Sequence, residues 1–166
     1  MKPTMSFMEA VKTCFSKYAT FTGRARRSEF WWFYLAVSIP YWILGIILNF
    51  TVTAKATVEA QAFDGEGNFS ELAAQSEMYA NINLVLLILF AVWGLATLIP
   101  ILAAMTRRLH DTGKSGKLLF LILLCGIGGL VPLILCIADG KPEPNQYGPS
   151  PKYGNAAPQA PAGPAI

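Results

Sequence analysis

The chain has 166 residues, of which 54% are hydrophobic and only 14% charged, with a formal net charge of +3. A soluble domain carries roughly 25% charged residues, so this balance excludes an ordinary soluble core. The apolar residues gather in three long blocks with the charges crowded between them, and no nucleic-acid partner is expected.

Residues 1–29 form a basic segment before the first apolar block. Ser6 with Glu9 three positions on fits a capping box, and Met8, Val11, Phe15 and Tyr18 recur at helical spacing among Glu9, Lys12, Thr13, Ser16 and Lys17. That pattern predicts a short N-terminal amphipathic helix, lying either in the lipid headgroup layer or against the protein's own spans. The segment lacks an apolar core long enough for a cleavable signal peptide, so the first span is expected to act as its own targeting signal. Gly23 suggests a turn, after which Arg24, Arg26 and Arg27 precede the aromatic run Phe30, Trp31, Trp32, Phe33 and Tyr34. Tryptophan and tyrosine favour the membrane boundary and arginine just outside it meets lipid phosphates, so generic anchoring is the plain reading.

The three apolar blocks cover about residues 30–52, 82–105 and 118–137. Each reaches the roughly 20 residues that a helix needs to cross a hydrocarbon core of about 30 Å, and inside lipid the backbone must pair within its own segment. The expected fold class is therefore an all-α membrane protein, with three transmembrane helices in a domain over 30–138. Between the first two spans, residues 53–81 read as an acidic loop with a turn at Asp64-Gly65-Glu66-Gly67. Asn68 or Ser70 can cap a helix running into the second span. From Asp139 onward the chain is rich in Pro, Gly and Ala, and the last dozen residues of this tail, 139–166, are expected to be disordered.

Basic residues set the orientation. Lys2, Lys12, Lys17, Arg24, Arg26 and Arg27 precede the first span, and Arg107, Arg108, Lys114 and Lys117 separate the second from the third. Only Lys55 lies in the acidic loop, among Glu59, Asp64, Glu66, Glu71 and Glu77. By the positive-inside rule the N-terminus and the linker after the second span face the cytoplasm, and the acidic loop faces outward. A straight third crossing puts the tail outside. A broken or re-entrant segment, suggested by Gly126, Gly128, Gly129 and Pro132, returns it to the cytoplasm.

The stretch TRRLHDTGKSGK, residues 106–117, holds the one histidine of the chain and a Gly-Lys-Ser. A phosphate loop needs a glycine where Arg108 stands, and a strand before it, so that reading is rejected. Gly113 instead ends the second helix, and Ser115 caps the third. His110-Asp111 lacks further ligands for a metal and an activated nucleophile for hydrolysis, and no cofactor is expected. Asp111 is better placed to neutralise Arg107 or Arg108, four and three positions earlier. Cys125 and Cys136 sit about 16 Å apart along a helix axis, beyond bridging distance, and read with Cys14 as small apolar packers. If the spans are neighbours, Arg24, Arg26, Arg27, Arg107, Arg108, His110 and Lys114 ring one patch, with Glu29 and Asp111 as the nearby acids. Part of the set pairs internally, and the rest can bind an anionic phospholipid headgroup or an acidic protein partner. The spans carry no charge, which leaves an ion path without support.

Phe21-Thr22-Gly23-Arg24-Ala25-Arg26-Arg27-Ser28-Glu29-Phe30-Trp31 resembles the pattern F-x-G-R-x-x-R-x-E-[FY]-W, and Arg107-Arg108-Leu109-His110-Asp111 with Ser115-Gly116 resembles RRLHD-x-x-x-SG. Asn145-Gln146-Tyr147-Gly148 is similar to a trailing N-x-[FY]-G. Together, over roughly residues 7–151, they resemble the domain of unknown function 805 family of small bacterial inner-membrane proteins. The resemblance implies a location and an architecture but no reaction. The expectation is a multi-pass inner-membrane protein without catalytic activity, whose cluster locks helices and engages anionic lipid or a membrane-protein partner, a second copy included. The alternative is a membrane enzyme, with His110 as general base, or a transport-associated subunit acting on a phosphorylated lipid.

Overall fold

In the computed structural model, which describes residues 4–63, 65, 67–123 and 130–154, the first helix is α1, Phe7–Ser16. Its capping box is complete: Ser6 Oγ accepts from the Glu9 N–H at 3.4 Å, and Glu9 Oε2 accepts from the Ser6 N–H at 3.0 Å. The face it buries is Ala10 and Cys14, one helical turn apart. Small side chains there let α1 lie close, while Phe7 meets Trp32 and Phe15 meets Phe33 edge-on at 5.8 and 5.4 Å. Met8, Phe15 and Tyr18 of the expected stripe stay exposed. The helix thus packs on the protein through one face and offers an apolar second face outward.

Two long helices follow: α2, Arg27–Phe63, and α3, Phe69–Asp111. At 37 and 43 residues they are about 55 and 65 Å long, well beyond the roughly 30 Å of a hydrocarbon core. The excess includes most of the stretch expected as an acidic loop, which is helical up to Phe63 and again from Phe69. Asn68 starts α3, its side-chain oxygen accepting from the Ser70 N–H at 3.1 Å. In each helix only 11% of the most apolar window is buried. Trp42, Ile46, Phe50 and Leu95 are each at least two-thirds exposed. A core helix of a soluble protein would be covered; these expose their apolar surface as lipid-facing helices do.

The chain falls into two compact units, Met1–Ala36 with Leu98–Ile166, and Val37–Thr97. The second unit is a helical pair. Trp93 Nε1 donates to the Val37 carbonyl at 3.2 Å, Tyr41 meets Phe90 edge-on at 4.7 Å, and the Thr51 hydroxyl donates to Asn83 Oδ1. Gly94 permits that approach, because a Cβ there would stand 2.4 Å from Tyr41 Oη. Thr97 bonds back to the Trp93 carbonyl of its own helix at 2.7 Å, so its hydroxyl is already satisfied.

In the first unit α3 ends in a Schellman motif. Gly113 takes φ +79°, its N–H donates to the His110 carbonyl, and the Lys114 N–H donates to that of Leu109. Ser115 then starts a 3₁₀ helix, Gly116–Leu123, its Oγ accepting from the Lys117 N–H at 3.3 Å. Of the expected third span, the described residues form that 3₁₀ helix and the short α4, Leu130–Leu135, and residues 124–129 between them lie outside the described residues. Pro132 falls in the first turn of α4, where its missing N–H leaves no helical bond unmade. Gly126, Gly128, Gly129 and Cys125 lie outside the described residues, as do the last dozen residues of the tail.

Gly113→Ala should lower stability by about 1 kcal/mol, since a Cβ disfavours that left-handed conformation and would also meet the Lys141 side chain at 3.0 Å. Unfolding in detergent followed by circular dichroism reads the loss.

Candidate functional site

The candidate site is a knot of buried charge in the first unit, where the segment before α2, the last turn of α3 and residues 136–148 meet. Asp111 is its centre, 4% exposed. Its Oδ1 accepts from Arg24 Nε at 2.8 Å, and its Oδ2 accepts from Arg108 Nη1. The Asp111 carbonyl accepts from the Lys141 N–H at 2.9 Å. One carboxylate is thus shared by two guanidiniums that are themselves almost wholly buried.

Those guanidiniums use their remaining donors on backbone carbonyls. Arg24 Nη1 donates to Glu143 at 2.8 Å and to Gly148 at 3.3 Å, and its Nη2 donates to Lys141. Arg108 Nε donates to Cys136 at 3.1 Å, its Nη1 to Ala25 at 3.4 Å, and its Nη2 to Ala138. Arginine's fixed fork suits this use, since one guanidinium reaches several carbonyls at once.

A second pair lies beside the first. Arg107 Nη1 sits 3.1 Å from Glu29 Oε1, an ionic contact without hydrogen-bond alignment, and both side chains are buried. Cys14 from α1 closes this pair, its Sγ 3.9 Å from Glu29 Oε1 and 3.8 Å from Arg107 Nη2. Burial, reinforced by the Glu29 charge, pushes the Cys14 thiol up to about 11. The Ala25 N–H donates to the Arg107 carbonyl at 3.0 Å, which fixes the approach of the two segments.

His110 is held on three sides. Its ring stacks on Tyr147 with centroids 3.6 Å apart, its Nδ1 lies 3.1 Å from the Gly23 carbonyl, and its own carbonyl accepts from Asn145 Nδ2 at 2.9 Å. Nε2 faces Gly116, where a Cβ would stand 3.4 Å away. Gly23, with φ +85°, makes the turn that aims its carbonyl at the imidazole. Asn145 Oδ1 also accepts from the Tyr147 N–H at 2.9 Å, holding that ring in place.

The seven residues expected to form one anion-binding patch divide. Arg24, Arg107, Arg108 and His110 are buried and committed to protein groups, with Glu29 and Asp111 as the carboxylates among them. Arg26 is half-buried, and Arg27 and Lys114 are exposed. Asp111 takes Arg108 but not Arg107, because Arg107 turns to Glu29. Sequence reasoning missed Gly140 altogether: a Cβ there would fall 1.9 Å from Asp111 Oδ2. It read Cys14 only as an apolar packer, and placed Asn145 and Tyr147 in the trailing motif without a contact to His110. Among the described residues no group of acids, cysteines and histidine could hold a metal.

The three motif stretches therefore converge on one knot, and a family model described as protein of unknown function (DUF805) matches residues 18–149, which include all of it. The chain belongs to the DUF805 family. It is 33% identical over 138 residues to the inner membrane protein YhaI of Escherichia coli strain K12, covering 83% of this chain and 91% of that protein. It is 31% identical over 135 residues to the inner membrane protein YhaH of the same strain, covering 81% and 89%. No solved structure gives a significant match. The DUF805 motifs thus read, in this chain, as the two arginine pairs and the glycines that let backbone approach them.

Asp111→Ala should cost about 3–5 kcal/mol, because it leaves two buried guanidiniums uncompensated, and Gly140→Ala should approach that loss by displacing the carboxylate. Expression level and unfolding midpoint in detergent measure both. In the folded protein Cys14 should resist maleimide at pH 8 and react fully after denaturation, its thiol being buried and protonated there.

Proposed function

We propose that this DUF805 protein is a non-catalytic component of the bacterial inner membrane, with two helices crossing the bilayer and a third apolar block that enters and returns. The N-terminal segment lies on the cytoplasmic side, and the arginine knot is a lock at that face. The observation that carries the reading is the attachment of both ends of the third block to the same knot. Residues before the block follow directly from α3, and Cys136 at its end with Ala138, Lys141, Glu143 and Gly148 after it are held by Arg108 and Arg24. A chain that crossed once more would end on the far side from those guanidiniums.

Charge agrees with this course. Returning the tail puts Lys141 and Lys152 with the other basic residues and leaves Lys55 alone outside, the asymmetry that the positive-inside rule asks for. The exposed stripe of α1 then lies at the membrane surface on the same side. The enzyme alternative finds no support in the position of His110. Its ring face is covered by Tyr147, its Nδ1 serves the Gly23 carbonyl, and the residue is only 8% exposed, a poor position for a general base. A transport-associated role lacks a polar path.

Reporter fusions test the topology. A reporter after residue 154 should read cytoplasmic, like one at the N-terminus, and a reporter inserted within 64–68 should read periplasmic. A tail reporter that matches the insertion instead would overturn the proposal.

A further inference from the structure

The knot consumes the buried arginines but leaves cations beside it. A cavity of about 340 Å³ opens next to Asp111 and is lined by Arg26, Arg27, Ser28, Asp139 and Lys152 among others. A second, of about 460 Å³, is lined by the same Arg27 and Ser28 together with Trp31, Trp32, Tyr34 and Leu35. Polar and apolar hollows thus share two residues at the start of α2. Both are of the size that takes a ligand of a few dozen atoms.

The charges in the first hollow are unequally matched. Asp111 is held by Arg24 and Arg108, and Asp139 is paired with Lys152 at 3.1 Å on the surface. That pair leaves the Asp139 charge matched. Arg27 is exposed, and among the described residues no carboxylate is paired with it. The hollow therefore presents the Arg27 guanidinium fork with no unmatched acid to repel an anion. In the second hollow the tryptophan rings and Leu35 offer apolar surface where such rings favour the bilayer boundary.

We propose that the two cavities form one site for an anionic glycerophospholipid, with its phosphate on Arg27 beside Ser28, in the hollow that Arg26 and the Lys152–Asp139 pair also line, and its acyl chains over Trp31, Trp32 and Leu35. A free phosphate ester would satisfy only the first hollow, and a neutral lipid only the second. The shared Arg27–Ser28 rim requires both parts in one molecule. This site rests on the membrane reading above, but binding is measured in detergent and does not depend on where the tail lies.

The test is titration of the purified full chain in detergent with short-chain phosphatidylglycerol, phosphatidylcholine of the same chains, and free glycerol 3-phosphate, followed by tryptophan fluorescence and native mass spectrometry. Phosphatidylglycerol should bind at least about tenfold more tightly than phosphatidylcholine, and glycerol 3-phosphate should fail to compete at equal concentration. Arg27→Gln should weaken phosphatidylglycerol about fivefold and leave phosphatidylcholine unchanged, whereas the exposed control Lys55→Gln should alter neither. Lys152→Gln, another exposed position, gives the same reading should Arg27→Gln fold poorly. Equal affinity for the two lipids, full affinity retained in both site variants, or equal competition by glycerol 3-phosphate would each sink the site.

Discussion

A single buried carboxylate facing two guanidiniums organises the first unit. Asp111 could not remain charged at 4% exposure without Arg24 and Arg108, and neither arginine could be buried without it. Once these three are out of water, every spare donor must find an acceptor, and the acceptors present are the carbonyls of Ala25, Cys136, Ala138, Lys141, Glu143 and Gly148. The backbone of the tail is therefore placed by the electrostatics of the knot rather than by a core of its own. Glu29 and Arg107 repeat the arrangement on a smaller scale against Cys14 of α1.

Close approach is the second condition, and glycine meets it. Gly140 gives Asp111 its room, Gly116 passes Thr106 where a Cβ would stand 2.7 Å from a methyl group, and Gly23 turns its carbonyl to His110. The motif letters that looked like a nucleotide loop or a catalytic pair are thus explained by packing. Gly113 closes a helix, Ser115 opens the next, and His110 fills the gap under Tyr147.

Much of this was legible in the letters, for definite reasons. Apolar runs report lipid exposure directly, so α2 and α3 appear at the right places, and Ser6, Asn68, Gly113 and Ser115 mark helix ends through local hydrogen bonds. The i to i+3 spacing of Arg108 and Asp111 is likewise local. The partner Arg24 is 87 residues from Asp111, and no pattern of period or propensity reports a pair so distant. Hydropathy measures composition and so marks the third block as apolar without fixing its course, which depends on what holds the residues beyond it. The acidic stretch beyond the first span read as loop for the opposite reason: its charges hide helices that continue past the apolar part of the chain.

The distance along the chain between Arg24 and its acceptors also sets an order of events during synthesis. Arg24 leaves the ribosome early, yet Asp111 follows 87 residues later, and the carbonyls of Glu143 and Gly148 after 119 and 124. Until then the guanidinium lacks the groups that bury it. Closure of the knot is thus a late step, because it must await every residue from Arg24 to Gly148.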